Sequence, residues 1–299
     1  MKRAIVAVAL AAGCGSGSSW STVDPPQMMF PTSLALWVAG EGDIWLGGAT
    51  IWHGDGSGTW TETAPATPVG VTDFWGFAPN DIYAASDSRV LHWDGSAWTD
   101  VPPTTGVAFD ALYRIWGTSG RDLWVANTDN SRIYHYDGTR WTVQTLQFVM
   151  ADALWGASAN DIWLSGTTDL YHYTNGSWMR YDSNDAPTGV MGFWGTAADD
   201  VWAAGSFDEL AHWNGSTWEI DEEADYGAGF NAIWGASGDD IYAVGDLGFT
   251  GHYDGDSWSV SQEGGNTEFF HRVHGSGSGN VWATGVDLQR QKVLVLRKD

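Results

Sequence analysis

Cysteine is almost absent from this chain of 299 residues. Its single thiol, Cys14, excludes a disulfide framework, a CxxC pair and a thiolate zinc cage. Basic residues are scarce as well. Thirteen Lys plus Arg face 37 Asp plus Glu, and a formal net charge of -24 repels phosphate backbones. Nucleic acid is thereby excluded as a partner, and anionic membrane surfaces are disfavoured. The apolar run Ala4 to Ala12 has nine residues, too few to span a bilayer. No Gly-x-Ser-x-Gly, His-Glu-x-x-His, P-loop or Asp-x-Asp-x-Asp-Gly sequence occurs, so no local signature of an enzyme class or calcium loop is present. What the chain has is 43% hydrophobic residues, enough to fold, together with 21 Trp and 39 Gly. That excess of Trp implies either ligand-stacking surfaces or a Trp-containing unit copied many times.

The start reads as an export signal. Met1-Lys2-Arg3 is basic, Ala4 to Ala12 is apolar, and Gly13-Cys14 stands at the expected cleavage point. Leu10-Ala11-Ala12-Gly13-Cys14 resembles the lipobox of bacterial lipoproteins, which implies acylation of Cys14. Ordinary signal-peptidase cleavage nearby, leaving a free thiol, is the alternative. Gly15 rather than Asp follows Cys14, which by resemblance to sorted lipoproteins implies delivery to the outer membrane. The expected organisation is a signal peptide over 1–13, a short tether over 14–19 and one folded unit over 20–299.

The tryptophans repeat. Trp37, Trp75, Trp116, Trp155, Trp194 and Trp234 recur every 38 to 41 residues, and His274 lies 40 beyond the last. Each copy opens with a hydrophobe and Trp, usually followed by Gly, which marks a first strand, A. A turn then leads to Asp-hydrophobe-aromatic, as in Asp43-Ile44-Trp45 and Asp240-Ile241-Tyr242, which starts strand B; the seventh copy has Asn280-Val281-Trp282. Strand C ends in segments such as His92-Trp93-Asp94-Gly95 and His252-Tyr253-Asp254-Gly255, where Asp-Gly signals a hairpin turn. Strand D carries Trp60, Trp98, Trp141, Trp178, Trp218 and Trp258.

Four short strands in a period near 40, seven times over, match the blades of a β-propeller. The fold expected is all-β: a single seven-bladed propeller of four-stranded antiparallel blades. The seventh copy lacks a Trp-bearing strand D, and Ser19-Trp20-Ser21-Thr22-Val23-Asp24-Pro25-Pro26 parallels Ala97-Trp98-Thr99-Asp100-Val101-Pro102-Pro103. The N-terminal strand should therefore close the ring. All 21 Trp then fall in blade positions, which favours rings filling the wedges between blades over ligand stacking. Ile233-Trp234-Gly235 with Asp240-Ile241-Tyr242 is similar to tectonin-type propeller repeats, and Asp254-Gly255-Asp256-Ser257-Trp258 resembles the Asp-box type. The tectonin resemblance implies glycan binding.

His53, His92, His135, His172, His212 and His252 share one slot at the end of strand C. Strands B and C are antiparallel, so each His should meet the Asp that opens strand B. Blade seven alone has Asn280 for the Asp, and alone lacks the His; such paired loss is what a structural hydrogen bond predicts. Function is then sought in unrepeated residues of the D-to-A and B-to-C loops, which share one face. They include Phe30, Phe109, Tyr113, Phe148, Tyr181, Asp182, Asp185, Glu222, Glu223, Asp225, Tyr226, Phe269, Phe270 and His271. Arg114 and Arg272, two residues before the strand-A Trp slot, are expected at the channel mouth, almost opposite each other, able to hold an anionic sugar or carboxylate. Asp73 in the blade beside Arg114 is the alternative partner, through a salt bridge.

The candidate ligand-binding set is thus Arg114, Arg272, Asp73, Tyr113, His271, Asp225 and Tyr226, with Cys14 for lipidation and no catalytic or metal residue. No cofactor is expected. Calcium on Asp221-Glu222-Glu223-Ala224-Asp225 is the one exception considered, against a plain solvated acidic loop. The reading is a surface-anchored, non-catalytic binding module for a glycan or protein ligand, touching the membrane only through its lipid. The alternatives are a glycosidase or lyase on a propeller scaffold, with two carboxylates converging about 5 to 10 Å apart, and a scaffold subunit of an envelope complex.

Overall fold

The computed structural model describes residues 19–28, 30, 34–63, 70–129, 131–147, 150–182, 186–206, 209–220, 227 and 229–299. Among them, 28 strands form seven four-stranded antiparallel sheets. In six blades the order is sequential, A-B-C-D. In the seventh, strand A (Glu268–Gly275), strand B (Val281–Asp287) and strand C (Lys292–Lys298) are completed by Trp20–Val23 from the other end of the chain. Trp20 pairs with Lys298 and Val23 with Val295, so the ring closes as the repeat pattern predicts.

The inner strands, such as Val71–Ala78, Leu112–Ser119 and Val190–Ala197, run from the face carrying the D-to-A and B-to-C loops (the loop face). They end at the face carrying the A-to-B and C-to-D turns (the turn face). Strand B is the core of each blade: Asp161–Gly166 is buried at every position after the first, because both flanks of the sheet are covered by neighbouring blades.

Tryptophan does the covering. The outer-strand Trp of one blade lies edge-on to the strand-B aromatic of the preceding blade. Examples are Trp98 on Trp45 at 5.5 Å, Trp178 on Trp124 at 5.7 Å, Trp218 on Trp163 at 5.2 Å and Trp258 on Trp202 at 5.8 Å. Trp20 does the same against Tyr242 at 6.3 Å, so the N-terminal strand supplies its blade's wedge residue as well as its edge pairing.

The Trp-Gly signature of strand A has its own cause. Each inner Trp leans over the glycine of the next blade, and a Cβ at Gly76, Gly156, Gly195, Gly235 or Gly275 would lie 2.6 to 2.9 Å from the neighbouring indole. Between blades seven and one the interlock is absent. Val38 stands where the Gly should be, His274 stands where the Trp should be, and the smaller imidazole accepts a hydrogen bond from the Val38 N–H at 3.0 Å. The two departures from the repeat compensate each other.

Candidate functional site

On the turn face the repeated polar residues saturate one another. His Nε2 donates to the strand-B Asp in six blades: His53 to Asp43, His92 to Asp81, His135 to Asp122, His172 to Asp161, His212 to Asp200 and His252 to Asp240. The distances run from 2.7 to 3.2 Å. Each imidazole also stacks on the strand-B aromatic, most closely His172 on Trp163 at 3.9 Å. In blade seven Asn280 accepts from Trp282 Nε1 at 2.8 Å, and Arg297, which is paired in register with Trp282, lies 5.8 Å over its ring in place of the missing His. The sequence reading missed Arg297, although its register opposite Trp282 matches that of His53 opposite Trp45.

The C-to-D turns are likewise self-contained. Asp94 Oδ1 accepts from Ser96 N, Ser96 Oγ and Ala97 N at 2.7 to 2.9 Å, while Gly95 takes the positive φ of 91° that the turn requires. The Ser96 and Ala97 bonds hold the Asp94 carboxyl down at about 2.

The channel is built differently. A bulge at the start of each inner strand from blade two onward re-aims one residue inward, and the register breaks at Val71/Asp73, Leu112/Arg114 and Phe270/Arg272 are three of them. Six residues thus border one layer: Asp73, Arg114, Ala153, Gly192, Ala232 and Arg272. Three of these slots are Ala or Gly, which leaves room for two arginines. Below this layer, Trp37, Trp75, Trp155, Trp194, Trp234 and His274 line a vestibule of about 630 Å³ near the turn face. At the layer itself is a chamber of about 120 Å³ bordered by Asp73, Arg114, Asn231 and Arg272.

Arg114 is 5% exposed, so it sits within the channel and not on its rim. Its Nε donates to the Asp152 carbonyl at 2.6 Å, and its guanidinium lies 4.0 Å over the Tyr113 ring. Its Nη1 is buried without a hydrogen-bond partner. Arg272 donates to the His271 carbonyl at 2.8 Å and, across the ring, to the Thr72 carbonyl at 3.4 Å. Asp73 accepts from Ile115 N at 3.1 Å, and among the described residues no carboxylate lies within 4.0 Å of either arginine. The alternative of an Asp73–Arg114 salt bridge is not realised as a direct ion pair, although the two charges attract each other.

The electrostatics are those of a dry, crowded site. Loss of water pushes the Asp73 carboxyl up, against the pull of Arg114 and Arg272. Loss of water pushes the Arg272 guanidinium down, helped by repulsion from Arg114. Both cations pull the Tyr113 hydroxyl below its ordinary value, Arg114 most. Desolvation, then Arg272, holds His271 at about 4, neutral at physiological pH, with Nε2 buried and unpaired.

Of the expected set, the fold brings Asp73, Tyr113, Arg114 and Arg272 into one electrostatic group, with His271 beside Arg272. Asp225 and Tyr226, like Cys14, Phe148, Asp185, Glu222, Glu223 and the rest of the acidic run, lie outside the described residues. Several loop aromatics turn out to be packing residues. Phe109 meets Tyr134 at 5.3 Å and Trp141 at 5.0 Å, Phe270 is fully buried, and Tyr181 packs on Trp163 and Trp213. Phe30 alone among these is well exposed, at 40%. The sequence did not reveal the part of Asp152, whose carbonyl receives Arg114 while its carboxyl faces Thr167.

No protein-family model matches the sequence, and no curated protein does. Solved propeller structures do match the fold. YCF48 bound to a D1 peptide superposes with a TM-score of 0.73 at 15% identity over 99% of each chain. Streptogramin B lyase gives 0.75 at 16% identity over 94% of this chain and 98% of that one. A chain of the mitotic checkpoint complex gives 0.72 at 11%, over 99% and 98%. At these identities the likeness concerns architecture: the chain is a seven-bladed β-propeller.

Proposed function

We propose that this propeller is a non-catalytic binding module that engages a partner protein or glycan through its loop face. It would be exported and tethered to the outer membrane by an acylated Cys14. The observation that carries this reading is the contrast in polar satisfaction. Turn-face Asp and His side chains pair with each other, whereas the unrepeated Arg114, deep in the channel, keeps an unpaired Nη1. Repetition serves the ring, and a residue used once at a desolvation cost serves something else. The likeness to YCF48 bound to a D1 peptide and to a chain of the mitotic checkpoint complex supports the protein arm, and the tectonin resemblance supports the glycan arm.

Orientation supports the anchor. Ser19 and Trp20 lie on the turn face, bonded to Asp299 and Lys298, and Gly15 to Ser19 reach roughly 17 Å when extended. A lipid on Cys14 would set the turn face toward the membrane and the loop face outward.

Peptide and glycan arrays probed with the mature chain test the reading. Binding that is lost in Tyr113→Ala and kept in the turn-face variant Thr139→Ala is the expected result. Binding lost only in Thr139→Ala would overturn it. Detergent-phase partitioning, with release by Cys14→Ser, tests the tether; a mature Cys14 of unmodified mass would remove it.

A further inference from the structure

The channel layer contains a buried cation with one donor unmet. Arg114 is 5% exposed and its Nη1 has no partner, while its Nε donates to a backbone carbonyl, the Arg272 guanidinium donates to two, and both arginines share the neutral Tyr113 side chain. A guanidinium withdrawn from water demands charge-assisted bonds, and neutral carbonyls compensate it incompletely. Asp73 and Asp152 both attract Arg114, yet among the described residues neither carboxylate comes within 4.0 Å of a channel guanidinium. Asp73 is taken by the Ile115 N–H, and the Asp152 carboxyl faces Thr167. Both arginines nevertheless border the same chamber of about 120 Å³, whose far wall is Ala153, Gly192 and Ala232. The small far-wall residues leave the chamber open beside the two arginines.

We propose that this chamber is a binding site for a single carboxylate group, either free as a small organic acid or at the end of a peptide chain. One carboxylate oxygen meets Arg114 Nη1 and the other meets the Arg272 side. Asp73, the one carboxylate already in the layer, limits the site to one incoming negative charge. The strongly acidic surface acts the same way, disfavouring polyanions. The proposal rests on the loop face being the ligand face, since that is the end at which the Arg layer lies.

The test uses the mature chain and three probes: sodium acetate, triglycine with a free C-terminus, and triglycine amide. Binding is followed by calorimetry and by melting temperature against sodium chloride controls of equal ionic strength. Acetate or free triglycine should bind saturably, triglycine amide should not, and Arg114→Met should weaken binding by about 10- to 100-fold. Asp73→Asn should tighten it, because the competing carboxylate is gone. Tighter binding of triglycine than acetate identifies a chain end as the source, and equal binding identifies a free small acid.

Should Arg114→Met fail to fold, isotope-labelled acetate on the wild type decides. Saturation transfer from Tyr113 ring protons to acetate supports the site; no transfer at saturating acetate overturns it. Equal binding of the amide, or unchanged acetate affinity in a folded Arg114→Met, overturns it too. If the carboxylate site fails while array binding still depends on Tyr113, the loop-face reading survives alone. If both are lost, that reading falls with it.

Discussion

The turn face and the channel layer put titratable side chains to opposite ends. On the turn face, Asp and His occur in six copies, each pair within 3.2 Å, each imidazole stacked on a ring. In the channel, Asp73, Arg114 and Arg272 occur once each, and neither arginine has a carboxylate within 4.0 Å among the described residues. What the difference teaches is that polar residues in a propeller are read by their copy number and by their satisfaction together. The repeated pairs stabilise the blade; the unmet Arg114 nitrogen stabilises nothing in it.

The comparison assumes that the repeated lattice is one cooperative ring, and the severest way to break it is at the closing strand. Deleting residues 15–26 removes Trp20–Val23, exposes the unpaired edge of Lys292–Lys298 and empties the wedge against Tyr242. The protein should lose its folded state, seen as aggregation on size exclusion and the absence of a cooperative melt. A truncated protein with an unchanged melting temperature would show that the ring does not depend on this strand.

Next comes the one blade boundary that departs from the Trp-Gly interlock. His274→Trp places an indole against the Val38 side chain and should cost about 1–3 kcal/mol by overpacking. Adding Val38→Gly should restore most of the loss, since Gly76 and Gly275 show that an indole and a glycine fit together. A double-mutant cycle with no coupling would show that the two departures arose independently.

Within the lattice, Asp122→Ala orphans His135 and Thr118 and should lower stability by about 1 kcal/mol, with carboxylate binding untouched. In the channel, Arg114→Met should do the reverse: stability within about 1 kcal/mol of wild type, and carboxylate binding weakened about 10- to 100-fold. Chemical denaturation of the two variants side by side reads both. An Arg114→Met protein less stable than Asp122→Ala would make Arg114 a structural residue.

The smallest effect separates the regions by pH. His271 and His274, neutral in the fold at about 4 and about 3 because burial disfavours their charge, take up protons on unfolding below their ordinary 6.5. Stability should therefore fall as pH drops from 6.5 toward 4, and His271→Gln with His274→Gln should flatten that limb. Asp94, held at about 2 against an ordinary 3.8, keeps its contribution above pH 4 and loses it toward pH 2; Asp94→Ser should flatten only this lower limb. Denaturation midpoints across the range check both windows, and one limb insensitive to its own substitutions would break the assignment.

The sequence by itself determined the blade count, the strand order, the closing strand and the Asp–His pairs. The strand order and the Asp–His pairs follow from local register, and the closing strand from the likeness of Ser19–Pro26 to Ala97–Pro103 together with the Trp-bearing strand D missing from the seventh repeat. A period near 40 places strands B and C side by side, and antiparallel pairing then puts residues some ten apart, such as Asp81 and His92, within bonding distance. It also accounted for every Trp, because one blade's geometry repeats in the next. Tertiary structure alone decided the channel. Whether Arg114 points inward depends on the bulge between Leu112 and Arg114, and whether it finds a partner depends on how far apart seven packed blades hold their inner strands. Arg272 meets Thr72 across 200 residues of sequence, and His274 meets Val38 across 236. Contacts of that range are set by ring closure and wedge packing, which no single repeat encodes.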